Sequence, residues 1–289
     1  MRRLAAVGLL LWGSLAFAQT GEPVALRLAL GPDVAWRYAE SLRGKGTLTR
    51  IKGLAETAVA VEVQALGTRA WRHVEASDDG ARLSARSLAG KATLKLVDAP
   101  AEGQYERERP FRSYSLLVTP SGAVLDAAAL PDAAADEIGG NEPPVELDLT
   151  ELFTALELGL LPPAPIAVGG SWKLPADGSE PDRAQLALQA SGKLTERNET
   201  AAGTVAVLDT TLTAALPARP TPIKELQVSG QVTLTARVHF NQTLGRVDAA
   251  EGPLVLELRY AFPDARGTVA KVRLDLNLDT RLEADVPRR

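Results

Sequence analysis

The chain has no cysteine among its 289 residues, and its one methionine is the first residue. Disulfides, thiolate catalysis and cysteine-based metal sites are therefore excluded, and so is a lipid carried on a cysteine at a cleavage site. Histidine is almost as scarce, with two residues, His73 and His239. Aromatic residues make up 4% of the chain. That is thin for the interfacial girdles of an outer-membrane barrel and for a sugar cleft lined with exposed rings. No apolar run reaches the roughly 20 residues that a membrane-crossing helix needs. A basic excess is missing as well: the formal net charge is −4, which argues against nucleic acid as a partner.

The N-terminus has three parts. Arg2 and Arg3 are positive, Leu4 to Leu15 are mostly apolar, and Ala16-Phe17-Ala18 offers small residues before Gln19. This is the layout of a secretory signal peptide over 1–18, and the pair of arginines runs straight into the apolar stretch in the manner of the ordinary secretory route. The mature chain would run from Gln19 to Arg289 and carry 30 basic against 36 acidic residues. Export to the periplasm, or beyond the cell, is the expected location. The Ala and Arg usage is that of a bacterial exported protein.

What remains alternates with period two, the signature of strands with one buried face. In 228–240, Val228, Val232, Leu234, Ala236, Val238 and Phe240 share a face with Gly230, against Gln231, Thr233, Thr235, Arg237 and His239. Such a strand is roughly 40 Å long at about 3.3 Å per residue. Leu254, Leu256, Leu258, Tyr260 and Phe262 form a second row, and Val272, Leu274, Leu276, Leu278 and Leu282 a third, opposed by charges. Turn residues at 241–245 and 263–267 separate the three, so they pair antiparallel. The first half shows the same habit in Leu26/Leu28/Leu30, Val59/Val61/Val63, the Trp71 segment and Tyr114/Leu116/Val118, the last running into a type I turn at Thr119-Pro120-Ser121-Gly122. The expected fold is all-β and mainly antiparallel: a large curved sheet or half-barrel, in one piece or as two β-rich halves.

Composition divides the mature chain into an N-terminal β-rich half (19–126), a linker with a short helix (127–167) and a C-terminal β-rich half (168–289). Residues 127–148 are rich in Ala, Asp, Glu, Gly and Pro. Thr150 to Leu161 has helical spacing, with Leu152, Phe153, Leu156 and Leu160 on one face, Thr150 as cap and Pro162-Pro163 as stop. Ala214 to Pro222 reads as a Pro-rich loop between strands. A short echo links 118–124 to 240–247, each an apolar residue, a turn, a glycine and a valine, as two hairpins share.

No catalytic motif emerges. His73 and His239 sit inside strand patterns, and neither a His-Glu-x-x-His run nor a glycine-flanked serine is present. Asp177, Ser179 and Asp182 lack the dense oxygen set of a calcium loop, and Asp177-Gly178 suits a hairpin turn. Asp132, Asp136 and Glu137, and also Asp78-Asp79-Gly80, read as solvated loops. Asn198-Glu199-Thr200 and Asn241-Gln242-Thr243 match a glycosylation pattern that carries no weight in a bacterial protein. Neither a cofactor nor a metal site is expected. Trp36, Trp71 and Trp172 are the tryptophans of the mature chain, and Trp172, after a Gly-Gly-Ser turn, reads as an anchor at a corner of the core, with the alternative of lining a cavity. The candidate cavity or lid residues are Leu152, Phe153, Leu156 and Trp172.

Two short motifs carry a family resemblance. Pro162, Pro163, Val168, Gly169, Ser171 and Trp172, followed by Phe240, Asn241, Gly245 and Val247, resemble an uncharacterised group of exported bacterial β-rich proteins. The pattern of elements is similar to the half-barrels of periplasmic lipoprotein carriers, in which a curved antiparallel sheet wraps an apolar cavity beneath short helices. This resemblance implies a non-enzymatic envelope protein that binds a hydrophobic ligand or another envelope component, with 150–161 as a lid. Three other readings stand beside it. One is a structural or protein-interaction β module. A second is an outer-membrane β-barrel, opposed by the uneven strands of the first half and by an end in Val286-Pro287-Arg288-Arg289 without a terminal aromatic. The third is a cell-wall or polysaccharide hydrolase, for which 36 acidic residues make carboxylate pairs easy to find. Oligomeric state is left open.

The register of the last strand is directly testable. Leu276→Asp should destabilise the protein by several kcal/mol, on the order expected for an unpaired buried charge. Asn277→Asp should leave the denaturation midpoint almost unmoved. Equal tolerance of the two would invert the register.

Overall fold

The computed structural model describes residues 21–97, 104–108, 113–130, 150–174, 187–220, 225–262 and 268–283. Residues 1–18, Asp132, Asp136, Glu137, Asp177, Ser179 and Asp182 lie outside them. In chain order the elements are β1 (Ala35–Lys52), β2 (Ala55–Ser77), β3 (Gly80–Leu96), β4 (Gln104–Glu108), β5 (Ser113–Val118), β6 (Val124–Leu130), α1 (Thr150–Glu157), β7 (Ser171–Leu174), β8 (Ala187–Thr200), β9 (Gly203–Pro220), β10 (Gln227–Asn241), β11 (Arg246–Ala261) and β12 (Thr268–Leu282). All the strands belong to one antiparallel sheet in the order β6-β5-β3-β2-β1-β12-β11-β10-β9-β8-β7, with β4 on the side of β3. The two β-rich halves are thus continuous through the β1–β12 ladder, where Leu42 faces Leu278 and Leu48 faces Val272.

The alternation read from sequence becomes one inward face. Leu234 lies beside Leu254 and Leu254 beside Leu276, so the apolar rows of β10, β11 and β12 line up across the sheet. Leu254, Leu256, Leu276 and Leu278 are buried, whereas Asp275 and Asn277 on the other face are exposed. That outer face carries cross-strand ion pairs such as Arg273–Glu257 at 2.6 Å and Arg281–Glu251 at 3.4 Å.

Simple spacing shows that the sheet must curl. Eleven strands follow one another in the hydrogen-bonded path, so a flat sheet would set its two edges about 48 Å apart at about 4.8 Å per step. Yet one short loop touches both edges. The Leu161 N–H donates to the carbonyl of Ser121 in the β5–β6 turn at 3.1 Å, and Trp172 of β7 donates its indole N–H to the Leu160 carbonyl at 3.2 Å. The sheet therefore wraps round until its edges flank the segment after α1. It does not close by hydrogen bonding between β6 and β7. The result is an open half-barrel with one plugged end.

Three local features differ from the sequence expectations. Leu26, Leu28 and Leu30 alternate without forming a strand: only an isolated bridge joins Val24 to Ile166. The segment is a strap across the plugged end, where the Leu28 N–H donates to Pro120 and the Ala29 N–H to Gly245, with Leu26 and Leu28 buried beneath it. Alternation reports one buried face, and a strap hydrogen-bonded to two turns satisfies it as well as a ladder does. The stretch from Ala214 is not a loop, since β9 runs on to Pro220. Its ladder with β10 shifts between Val228 and Gly230, opposite Pro217, so the missing proline N–H falls at an irregularity of that ladder. The helix ends at Glu157, short of Leu161, because Gly159 (φ 85°) and Leu160 (φ 42°) turn the chain into the left-handed region.

Close approach of strands leaves its mark at Gly44 in β1. A Cβ there would fall on the Asp275 carbonyl oxygen and crowd the Leu276 side chain at 2.8 Å. Gly44→Ala should therefore lower the unfolding free energy by about 1–3 kcal/mol in urea titration, the range for overpacking. Gly31→Ala, with open space around the added carbon, should change it by less than about 0.5 kcal/mol.

Candidate functional site

The inward face is not apolar throughout. On three adjacent strands it carries Glu40 (β1), Arg69 (β2) and Thr280 (β12), all buried. Register brings them together: Glu40 is the ladder partner of Thr280, and Arg69 is the partner of Tyr38, one inward step from Glu40. A fourth polar group arrives from above. Glu157, the last residue of α1, is fully buried over this spot.

Each member has defined contacts. Arg69 holds Glu40 at 2.8 Å through Nη2 and donates from Nη1 to the Thr154 hydroxyl at 2.6 Å. Its Nη1 stands 3.7 Å from Glu157 Oε2, an ion-pair distance but too long for a hydrogen bond. Glu157 Oε2 accepts instead from the Trp71 indole N–H at 2.7 Å, and Oε1 is 3.2 Å from the Thr280 hydroxyl. Tyr38 donates its hydroxyl to the Val247 carbonyl at 2.8 Å. Two carboxyls thus face one guanidinium, and the guanidinium is engaged mainly with Glu40 and Thr154.

The electrostatic consequence falls on Glu157. Burial raises its carboxyl from the ordinary carboxylate range to about 8, Arg69 pulls it down, and the neighbouring Glu40 pushes it further up. Tyr38 is likewise raised, by burial first and then by Glu157. Chemically the cluster is a seat. Glu157 accepts from Trp71 and Thr280, which joins the helix to strands on both sides of β1.

The residues singled out by sequence lie around this seat. Phe153 and Leu156 are buried in the same core as Trp71 and Tyr38, and Trp172 packs its ring over Gly192 of β8 at the edge of that end. The side chain of Leu152 lies outside the described residues. Trp36 is the ladder partner of Trp71. His73 and His239 are half-buried strand residues, and no group of three or more metal-ligating side chains occurs among the described residues. The Glu40, Arg69, Thr280 and Glu157 cluster was missed. One signal for it was present, since the inward row of β12 skips from Leu278 to Leu282 over a threonine.

Away from the plug, the inward face changes character. Leu48, Val63, Leu96 and Val272 are only partly buried, and Leu94 is 37% exposed. Among the described residues this leaves an apolar trough, plugged at one end and uncapped at the other. A concavity of about 970 Å³ at this end is lined by β1, β12, β11 and β10, with outward residues such as Thr47, Glu257 and Arg273 and with Leu258 and Val272 of the inward rows. Its cations are taken up locally, Arg273 by Glu257 and Asp275 and Lys271 by Glu56.

No protein-family model matches the chain, and no curated protein does. Among the solved structures similar to it are two of different families. One is a DUF1329 family protein from Desulfovibrio piger, 7% identical, covering 88% of each chain with a TM-score of 0.17. The other is a LolA superfamily protein from Nitrosomonas europaea, 10% identical, covering 91% of this chain and 90% of the other with a TM-score of 0.16. Superpositions this loose carry no function across, so the site must be read from its own chemistry.

Removing the cation should expose how the seat is balanced. Arg69→Met leaves two buried carboxyls without a counter-charge and should destabilise by about 3–5 kcal/mol in thermal or urea unfolding. Adding Glu40→Leu and Glu157→Gln to that variant should recover at least half of the loss, because the triple change removes every buried charge of the cluster.

Proposed function

We propose that this is a non-enzymatic exported protein of the cell envelope that holds an apolar chain, from a lipid or a lipid-bearing envelope component, in the uncapped half of its trough. The observation that carries this reading is the inward face itself. Its apolar rows continue from the plugged end, where they are buried, to an end where Leu48, Val63, Leu94, Leu96 and Val272 keep partial access to solvent. A sheet that needed only a filled core has no reason to extend those rows past its plug, and burying them against a ligand is worth about 25 cal/mol per Å². Export to the periplasm is supported by the charged, apolar and small-residue order of 1–18.

Specific features weigh against the alternatives. A barrel in the outer membrane would turn its apolar rows toward lipid, whereas here the outward rows carry Arg273, Glu257, Arg281 and Asp279 in ion pairs. A hydrolase needs carboxyls that a substrate can reach, and Glu40 and Glu157 are enclosed between α1 and the sheet at 4% and 0% exposure.

The test is native mass spectrometry with lipid extraction on the mature chain, purified gently from its own envelope, together with uptake of a fluorescent fatty-acyl probe. A co-purifying apolar molecule and saturable uptake are expected. Leu94→Glu should weaken probe binding at least tenfold, about 1.4 kcal/mol, and move the unfolding free energy by less than about 1 kcal/mol. Ligand-free protein that takes up no probe would turn the assignment to a structural or protein-binding β module.

A further inference from the structure

We infer that Glu157 is a proton-operated latch: it seats the C-terminal end of α1 on the sheet when protonated and releases that end when ionised. Four features of the geometry converge on this. Glu157 is completely buried. It shares its surroundings with a second buried carboxyl, Glu40, and, among the described residues, with one cation, Arg69, whose Nη2 lies 2.8 Å from Glu40 and whose Nη1 lies 3.7 Å from Glu157. It occupies the last position of a helix whose final turn contains no basic residue, so the negative end of the helix dipole also disfavours its charge. Finally, burial outweighs the pull of Arg69 and of the donating Trp71 indole N–H, both of which favour the charged form.

The other charged and titratable groups on the packed elements do not offset this. Tyr38 of β1 is committed to the Val247 carbonyl. Arg246 and Asp248 of β11 pair with each other at 3.4 Å, and β12 offers a hydroxyl. The sign follows from linkage. A carboxyl whose proton is held to about pH 8 when seated, against an ordinary value of 4.5 when released, favours the seated helix fully below the lower value. That preference is lost as pH rises toward the upper one, by about tenfold in the seating constant per pH unit. The consequence for an apolar ligand, that alkaline conditions loosen the plugged end of the trough, rests on the reading given under Proposed function; the latch itself does not.

The experiment follows the Trp71 indole N–H and the Leu158 and Gly159 amides by nuclear magnetic resonance and hydrogen exchange on the mature protein from pH 5 to 9.5. One-proton titration of the indole resonance with a midpoint between 7 and 9 is expected. Above the rise due to intrinsic chemistry, the two amides should exchange about tenfold faster per pH unit up to that midpoint. Glu157→Gln should abolish the titration, and Glu40→Gln should move its midpoint down by at least one pH unit. An indole resonance and amide protection that stay flat over the whole range in the wild-type chain overturn the latch, whatever the variants do. Fatty-acyl probe uptake on the same samples separates the two ideas. A titrating latch without uptake sinks the trough reading alone, and uptake with a flat titration sinks the latch alone.

Discussion

Four residues after the helix, 158–161, hold together the two sides of a sheet that would be about 48 Å wide if flat. Leu161 is bonded to the β5–β6 turn and Leu160 to Trp172 of β7, while a Cβ on Gly122 would fall on the carbonyl oxygen of Leu158. Everything else at the plugged end follows from that meeting. The strap through Leu26 and Leu28 ties the β5–β6 turn to the β10–β11 turn, and its bridge to Ile166 closes the circuit. Among the described residues no ladder joins β6 to β7, and side-chain packing on α1 supplies there what edge-to-edge hydrogen bonds supply in a closed barrel.

An amphipathic helix of eight residues is too short to be stable by itself, so its position depends on what it touches. Phe153 and Leu156 provide apolar burial, which is non-directional. Direction comes from the polar seat, where Trp71, Thr280 and Arg69 reach Glu157 and Thr154 at defined distances. An apolar helix could slide along an apolar sheet; one that buries a carboxyl has only one site where its hydrogen bonds are met. The same feature that gives the plug its address makes it sensitive to protonation.

The molecule thereby separates two tasks along one inward face. Near the plug the rows are filled and contain the charges that place the helix. Toward the β1–β2 hairpin the rows stay apolar and half-covered, with outward charges paired among themselves. That polarity is the basis of the proposed binding of an apolar chain.

Local pattern settled a good deal. Val228 to Phe240 and Val272 to Leu278 could be read as strands, with the right residues inside, because side chains alternate with period two whatever the partner strand is. The Thr119–Gly122 turn and the helix after Thr150 were legible for the same reason: proline, glycine and helical spacing act within a few residues. The Leu26 strap and the run of β9 through Pro217 were misread, since a buried face looks alike in a strap and a strand, and a proline is tolerated at a bulge that only the neighbouring strand creates. Glu40, Arg69, Thr280 and Glu157 span 240 positions of the chain. No local spacing relates them, and they meet through the register of three strands and the landing point of the helix. By itself the sequence determined the strands, their inward faces and the short helix. Only the tertiary structure decided that the sheet is one piece, that its edges converge on one loop, and that two carboxyls share one arginine, because each of these depends on pairings between segments far apart in the chain.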